Sequence, residues 1–226
     1  MFTHVDLNLP QLERETIDGV RYYKVPDEDQ LLKLVSITSV TSHINREIFN
    51  NWRKKIGEDE AQKITKAATS RGTDMHSLVE NYLDNKDLPS VAPIADFLFK
   101  ISKTDLKRIN NIYALEGSLY SKQLGIAGTV DCIAEYDGEL AIIDFKTSKK
   151  PKPREWIEHY FVQCMAYGCM LYELTGISVK KLVIIMACEN GECVVYEERD
   201  KSKYIKLLSK YIREFVRDKL NAYGTK

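Results

Sequence analysis

The sequence of 226 residues has no long apolar run and no excess of charge of either sign. The absence of a stretch of about 20 apolar residues excludes a membrane-spanning helix. Lysine plus arginine and aspartate plus glutamate both number 33, so the chain is not uniformly basic. Neutrality does not exclude a protein that acts on nucleic acid, because acids can sit at the site and bases along the substrate path.

Cysteine is scarce, and its pattern lacks a recognisable pairing. Five cysteines occur, at positions 132, 164, 169, 188 and 193, without a CxxC motif. An odd number without a recognisable signal peptide predicts free thiols in a reducing compartment. The 44% hydrophobic fraction is that of an ordinary globular protein.

The hydrophobic patterns predict three regions. Residues 1–36 read as an N-terminal β region, and residues 37–110 as a helical region. Its first helix is expected after the hydroxyl-rich segment 36–42 and ends at about residue 56, and two more are expected over about 58–84 and 91–108. Residues 111–226 form the predicted core. Its strands are expected at 111–120, 126–136, 139–147, 180–188 and 192–198, and its helices at 153–175 and 200–221. This order predicts an α/β sandwich with a mixed central sheet flanked by helices.

One predicted hairpin of the core carries two acids and a lysine. Its turn is Asp137-Gly138, a strong two-residue hairpin signal between apolar stretches. With the turn there, Asp131 lies directly opposite Asp144, roughly 4.5–5.5 Å apart at Cβ. Lys146 follows two residues later and shares their face. Such a cluster is costly as structure alone, and it is typical of a site for a divalent metal ion and a phosphate.

Two predicted helices carry polar side chains that could face this hairpin. His76 and Glu80 are four residues apart and share one face of the longest helix. His159, Gln163 and Tyr167, also spaced by four, form a polar stripe on an otherwise apolar helix. A lone helical histidine is more often structural, and the stripe could be satisfied at a helix edge. A polar stripe on a buried helix needs partners, and the acid pair could supply them. The second interpretation is therefore that Gln163 and Tyr167, and likewise His76, face the site of the acid pair.

Five motifs together resemble a known family. They are Arg71-Gly-Thr-Asp-Met-His76, Glu116, Gly128-Thr-Val-Asp131, Asp144-Phe-Lys146-Thr-Ser and Gln163-Cys-Met-Ala-Tyr167. In order and spacing they are similar to the RecB-type branch of the PD-(D/E)xK nuclease superfamily, and most similar to the group of the mitochondrial genome maintenance exonuclease and its bacteriophage relatives. Thr38-Ser-Val-Thr41 also resembles that group. Val130 stands where the family usually has proline before the first acid, as in many RecB-type members.

The resemblance implies a restriction-endonuclease-like core and a deoxyribonuclease that depends on Mg²⁺ or Mn²⁺. The implied metal ligands are His76, Asp131, Asp144, the Phe145 carbonyl and Glu116. The implied catalytic residues are Asp131, Asp144, Lys146, His76, Gln163 and Tyr167. Lys146 would orient or deprotonate the attacking water and offset charge in the transition state. Glu116 could equally be an exposed acid at a strand edge.

A path for DNA is also implied. The candidate DNA-binding residues are Arg71, Ser39, Thr41, Thr147, Ser148, Lys149 and Trp52. Phe49, Trp52 and Arg53-Lys-Lys55 mix aromatic with basic side chains, as a single-strand stacking path does, although aromatics on an amphipathic helix are more often core. In this family an arch of N-terminal helices commonly admits only free ends, and residues 37–110 are long enough to build one.

The expected function is a DNA exonuclease that degrades single strands from free ends in recombination, repair or replication. The alternatives are a structure-specific or duplex endonuclease of the same superfamily, or a DNA-binding accessory subunit. Since no cysteine precedes position 132, the iron–sulfur cluster held by some relatives is not expected. We expect a monomer, with a recombination or replication protein as a candidate partner. The N-terminal residues predict a cytoplasmic protein of a bacterial or bacteriophage-infected cell rather than a mitochondrial one.

Overall fold

The computed structural model describes residues 1–28 and 30–224, so Asp29 and the predicted end of the core at 225–226 lie outside it. The first half contains β1 (Glu13–Ile17), β2 (Val20–Asp27), β3 (Gln30–Ser36), α1 (Ile37–Ile44), α2 (Arg46–Ile56), α3 (Glu58–Leu83) and α4 (Pro93–Leu106). The second half contains β4 (Ile109–Ser121), β5 (Ile126–Tyr136), β6 (Glu139–Ser148), α5 (Glu158–Thr175), β7 (Lys181–Cys188), β8 (Cys193–Glu198) and α6 (Ser202–Gly224).

The strands of the described residues form one eight-stranded mixed sheet. Its order is β1-β2-β3-β5-β6-β7-β8, and β4 pairs with β5. The β3–β5 and β6–β7 pairs are parallel, and the other neighbours are antiparallel. The predicted N-terminal β region is therefore continuous with the central sheet, because β3 joins it to β5.

Helices cover both faces of the sheet, as the predicted sandwich requires. One core is built by α1, α5 and α6, with Ile37, Phe161 and Tyr204 among its buried side chains. The other is built by α3 and α4, with Met75 and Phe99 buried. All of β7 is buried, because a strand covered on both faces can be apolar along its whole length.

Two of the predicted helices begin or end differently in the structure. The helix expected to end at about residue 56 is α2, but the hydroxyl-rich segment expected to precede it is itself helical and forms α1. The two helices meet at Asn45, whose N–H donates to the Thr41 carbonyl at 3.3 Å. The helix expected from 153 begins as a short 3-10 turn, Arg154–Trp156, and becomes α-helical at Glu158. All five cysteines are free, as expected. No helix within the described ranges is long and apolar enough to cross a bilayer.

The predicted hairpin and its register are confirmed. Asp137 and Gly138 both have positive φ, +52° and +76°, as the tightest hairpin turns require. The β5–β6 pairs run from Tyr136–Glu139 to Cys132–Ile143.

The sheet opens beyond that last pair. β4 lines one edge of β5 from end to end, while β6 pairs with residues 132–136 of β5 and β3 with residues 126–127. Both β3 and β6 therefore share the edge opposite β4. Within the described residues no strand pairs with 128–131 on that edge, so β3 and β6 separate there. The motif Gly128-Thr-Val-Asp131 lies in this opening.

Candidate functional site

Three side chains from three elements meet at the opening. His76 of α3 has its Nδ1 atom 3.8 Å from Asp131 Oδ2 of β5 and 3.9 Å from Glu116 Oε1 of β4. Candidate ligand atoms of all three residues lie within 4.8 Å of one another. The separations of 3.8 and 3.9 Å are short enough for one ion to lie about 2.1 Å from both atoms of each pair. One imidazole and two carboxylates fit Mg²⁺ or Mn²⁺, which favour oxygen-rich sites.

His76 is held in the orientation that a metal ligand needs. Its Nε2 donates to the Phe145 carbonyl at 2.9 Å, which leaves Nδ1 facing the two acids. Metal-binding histidines commonly donate their second ring N–H to a carbonyl in this way. The Phe145 carbonyl, predicted as a ligand, thus orients the histidine here, and its coordination of a metal stays a prediction.

Glu116 has an uncommon backbone conformation. Its φ is +46°, a region that non-glycine residues adopt rarely. The β4–β5 pairing continues on both sides of it, at Leu115–Cys132 and Gly117–Val130. Local strain of this kind is concentrated at functional sites. This observation favours a functional Glu116 over the strand-edge acid that the sequence left open.

Asp131 also marks where the two strands separate. Its Oδ2 accepts a hydrogen bond from the Phe145 N–H at 2.9 Å. The side chain thereby takes the place of a backbone acceptor, one residue beyond the last β5–β6 pair. Asp144, predicted to share one ligand set with Asp131, is outside the three-residue group. Its metal coordination therefore stays a prediction.

Asp144 is instead the centre of a second, buried polar group. Only 1% of the residue is exposed, and its Oδ2 lies 2.5 Å from Lys146 Nζ. Its Oδ1 accepts from Gln163 Nε2 at 3.2 Å. The same Gln163 nitrogen lies 3.3 Å from the Tyr167 hydroxyl oxygen. One residue of the predicted α5 stripe, Gln163, thus contacts the hairpin acid, and Tyr167 contacts Gln163.

The site concentrates negative charge away from water. Burial raises the pKa of Asp144 to about 6, and although Lys146 acts against it, the charge of Asp131 adds to the rise. Burial would lower the pKa of His76, but Asp131 and Glu116 outweigh it and raise that pKa to about 9. For Lys146, burial is likewise outweighed, by Asp144 and Asp131, so its pKa lies above the ordinary value. The carboxylates therefore favour positive charge nearby.

Gly128 allows the α5 helix to approach the opening closely. A Cβ atom at this position would lie 2.8 Å from Tyr167 Cε1 and 3.2 Å from Ile37 Cγ2. Any larger residue would therefore displace the Tyr167 ring. Next to it, the Thr129 hydroxyl lies 3.0 Å from the Tyr23 hydroxyl.

Some predicted DNA-binding residues lie at the site end of β6. Arg71 Nε donates to Thr147 Oγ1 at 3.4 Å, and its guanidinium also pairs with Glu189. Ser148 is buried at 8% exposure, whereas Lys149 is exposed. Arg71 and Thr147 therefore lie close to each other, beside the hairpin.

The remaining predicted DNA-binding residues lie on α1 and α2. Ser39 Oγ accepts from the Arg21 N–H at 3.0 Å. Thr41 is buried, and its hydroxyl donates to the Ile37 and Thr38 carbonyls, both at 3.2 Å, which leaves no donor for a phosphate. Trp52 packs 5.1 Å from the Phe49 ring centroid. None of these contacts connects Ser39, Thr41 or Trp52 to the group of His76, Glu116 and Asp131.

Sequence reasoning missed Tyr160, which neighbours Lys146, and Lys152, which neighbours Tyr160. The Tyr160 ring centroid lies 5.0 Å from Lys146 Nζ, and Lys152 Nζ lies 3.3 Å from the Tyr160 hydroxyl. Lys152 ends the basic run that starts at Lys146, and Tyr160 follows His159 of the polar stripe. Both residues therefore lie next to a pattern that the sequence showed, but the spacing of neither pattern predicted the contact between Lys152 and Tyr160.

The structure is that of an α/β protein whose mixed sheet opens onto a polar centre of acids, a histidine and a lysine. The family model described as "PD-(D/E)XK nuclease superfamily" matches residues 95–222, more than half of the chain. The chain belongs to this superfamily, and the predicted restriction-endonuclease-like fold class agrees with the membership. Nucleases of this superfamily use divalent metal ions, and the cluster of His76, Glu116 and Asp131 supplies suitable ligands.

Curated relatives carry one name. The chain is 27% identical over 184 residues to the human mitochondrial genome maintenance exonuclease 1, covering 74% of this chain and 52% of the relative. It is 31% identical over 112 residues to the Mus musculus protein of that name, covering 46% and 33%. The chain thus spans about half the length of the human relative. The fold is also similar to the crystal structure of a candidate exonuclease from Eubacterium rectale. The match has a TM-score of 0.49 and 14% sequence identity, and it covers 69% of this chain and 68% of the other chain.

Proposed function

We propose that this protein is a deoxyribonuclease that hydrolyses single-stranded DNA from free ends and requires Mg²⁺ or Mn²⁺. The observation that carries the proposal is the meeting of His76, Glu116 and Asp131 beside the Asp144–Lys146 pair, where two strands of the sheet separate. A divalent ion, when bound, lowers the pKa of a coordinated water and polarises a phosphodiester. His76, Glu116 and Asp131 would hold it.

The chain's own residues have distinct roles in this proposal. Lys146 presents an ammonium group that offsets the charge of the phosphate as the bond breaks. Asp144 fixes that ammonium at 2.5 Å, and Gln163 fixes Asp144 from the other side at 3.2 Å. Because Asp144 is buried, water competes little for these contacts. The Tyr167 hydroxyl and Gln163 would position the DNA backbone or the attacking water.

The preference for single strands is supported by α2. No residue of this helix is buried, and it contacts α3, which carries His76. Phe49 is 42% exposed, and the Arg53 guanidinium lies 5.0 Å from its ring centroid. With Trp52 beside it, this surface offers stacking and positive charge to unpaired bases. The α2–α3 pair is our candidate for an arch that admits only free ends.

The cellular process is inferred from likeness alone. Relatives named as exonucleases of mitochondrial genome maintenance support a role in recombination, repair or replication. We propose a monomer in the cytoplasm of a bacterial or bacteriophage-infected cell, working beside a recombination or replication protein.

A time course with two substrates tests the function. End-labelled linear and circular single-stranded DNA of equal length are incubated with Mg²⁺, with Mn²⁺ and with excess EDTA. We expect the linear strand to be degraded with either metal, the circle to survive, and EDTA to stop the reaction. Cleavage of the circle would indicate the endonuclease alternative, and activity in EDTA would contradict metal dependence. Binding without cleavage would indicate an accessory subunit.

A further inference from the structure

Two lysines approach the same aromatic ring beside the site. Lys146 Nζ lies 5.0 Å and Lys152 Nζ 5.6 Å from the centroid of Tyr160. Lys152 Nζ also donates to the Tyr160 hydroxyl at 3.3 Å. The His159 ring centroid is 4.0 Å from that of Tyr160. We call Lys152, His159 and Tyr160 the α5 shelf, since two of them lie in the first turn of α5.

The acids near the α5 shelf are paired with lysines other than Lys152. Asp144 pairs with Lys146, and Glu158, in the same turn of α5, pairs with Lys203. Among the described residues no carboxylate forms an ion pair with Lys152. The face of an aromatic ring stabilises a cation less than a charged hydrogen-bonding partner does. The pKa of His159 is lowered to about 4, by burial first and then by the charges of Lys152 and Lys146.

Lys152 is held in place although it has no acidic partner. Pro151 and Pro153 flank it and restrict the backbone on both sides. The Tyr196 hydroxyl donates to the Lys152 carbonyl at 2.7 Å. By contrast, Lys149 and Lys150 in the same segment are exposed. A half-buried, positioned ammonium without a counter-charge is a receptor for an anion.

We propose that Lys152 and the Tyr160 hydroxyl bind a phosphate of the substrate strand next to the one that Lys146 contacts. The two lysines would then take neighbouring phosphates of one strand, with the Tyr160 ring between them. The inference rests on the proposed function, because it places a second phosphodiester of the same DNA. It adds a binding site and leaves the chemistry at Lys146 unchanged.

The test combines a protein change with single-charge changes in the DNA. Each linear oligonucleotide carries one neutral methylphosphonate, at a different position in the series. Single-turnover rates at increasing enzyme concentration give an apparent Kd for each. For Lys152→Ala we expect an apparent Kd roughly 10-fold higher on unmodified DNA, with an unchanged maximal rate. The plot of the logarithm of the binding constant against the logarithm of the salt concentration should become less steep by about 0.7, the value for one phosphate contact on a single strand.

The pattern along the DNA decides the inference. In the unmodified protein one methylphosphonate next to the cleaved bond should weaken binding, and in Lys152→Ala that penalty should vanish while the others remain. Lys150→Ala, which removes one exposed charge from the same segment, should keep the penalty. Lys152→Gln is a second variant in case alanine disturbs the segment, and thermal unfolding checks both.

An unchanged pattern in both Lys152 variants, or a loss spread evenly over all positions, would overturn the proposed subsite. Failure of the unmodified protein to cut linear single strands with either metal would instead refute the proposed function. The two failures are therefore distinguishable.

Discussion

The two ends of the β5–β6 hairpin carry similar residues arranged to opposite effect. At the turn, Arg108 pairs with Asp137 at 2.5 Å, and the buried Lys181 pairs with Glu197 at 2.7 Å. The Tyr136 ring lies between the two cations, 4.4 Å from the Arg108 guanidinium and 5.0 Å from Lys181 Nζ. Each of these charges has its partner within the chain, so the turn end has a structural role.

At the open end the charges do not balance. Lys146 is paired with Asp144, while the ion pairs that Glu116 and Asp131 form within the described residues are both with the imidazole of His76. The difference teaches that a cluster of acids indicates a ligand site when its counter-charge is missing. Burial of the acids alone does not indicate one. The turn end also carries acids, Asp137 and Glu197, yet each of them has a cation beside it. Four changes test this contrast, in order of decreasing effect.

Asp131→Asn should cause the largest loss of activity. Mg²⁺-dependent cleavage should fall about 10³-fold or more, because the change removes a negative charge from the group of His76, Glu116 and Asp131. The amide oxygen can still accept from the Phe145 N–H, so the fold should be retained. Initial rates on end-labelled single strands measure it. Asp137→Asn makes the same change at the turn and should leave the rate unchanged. Equal rates for both variants would remove the distinction between the two ends.

Glu116→Gln should raise the Mg²⁺ concentration for half-maximal rate by about 10–100-fold, the range for losing a partner near a metal. The shape of the side chain is kept, while its charge beside His76 Nδ1 is lost. A metal titration of the initial rate measures the change. Glu135→Gln is the control, since Glu135 is bonded to Asn111 on the same strand pair. An unchanged titration would make Glu116 a strand-edge acid after all.

Lys181→Met should lower the free energy of unfolding by about 1–3 kcal/mol, because it leaves Glu197 without its closest cation. The loss of stability is modest, since the Glu197 side chain is 32% exposed and water replaces part of the interaction. Urea unfolding measures stability, and the rate of the folded variant should equal that of the parent protein. A drop in rate without a drop in stability would show that the turn end is not purely structural.

Local patterns made much of the fold predictable. The alternating strands and the Asp137-Gly138 turn fix the hairpin register within a few residues of chain, and the structure has that register. The α5 stripe was predictable for the same reason, because Gln163 and Tyr167 need only helical spacing to share a face.

Long-range geometry was not predictable. The opening exists because β3, from a distant segment, pairs with the same edge of β5 as β6 does. The positive φ of Glu116 and the hydrogen bond between His76 and the Phe145 carbonyl also depend on packing of separate elements. The prediction that Asp131 lies directly opposite Asp144 assumed that the β5–β6 pairing continues to these residues. In the structure the pairing ends one residue earlier, at Cys132–Ile143.

Tyr167→Phe should have the smallest effect, a several-fold fall in turnover with little change in stability. The phenylalanine ring still packs over Gly128, so only the hydroxyl that faces Gln163 is lost, about one hydrogen bond. Separate kcat and KM values on linear single strands measure it, with Tyr172→Phe, an exposed position on the same helix, as control. An unchanged rate would exclude the hydroxyl from the site. A loss far above tenfold would mean that the hydroxyl contacts the DNA or the attacking water directly, and that the open end extends into α5.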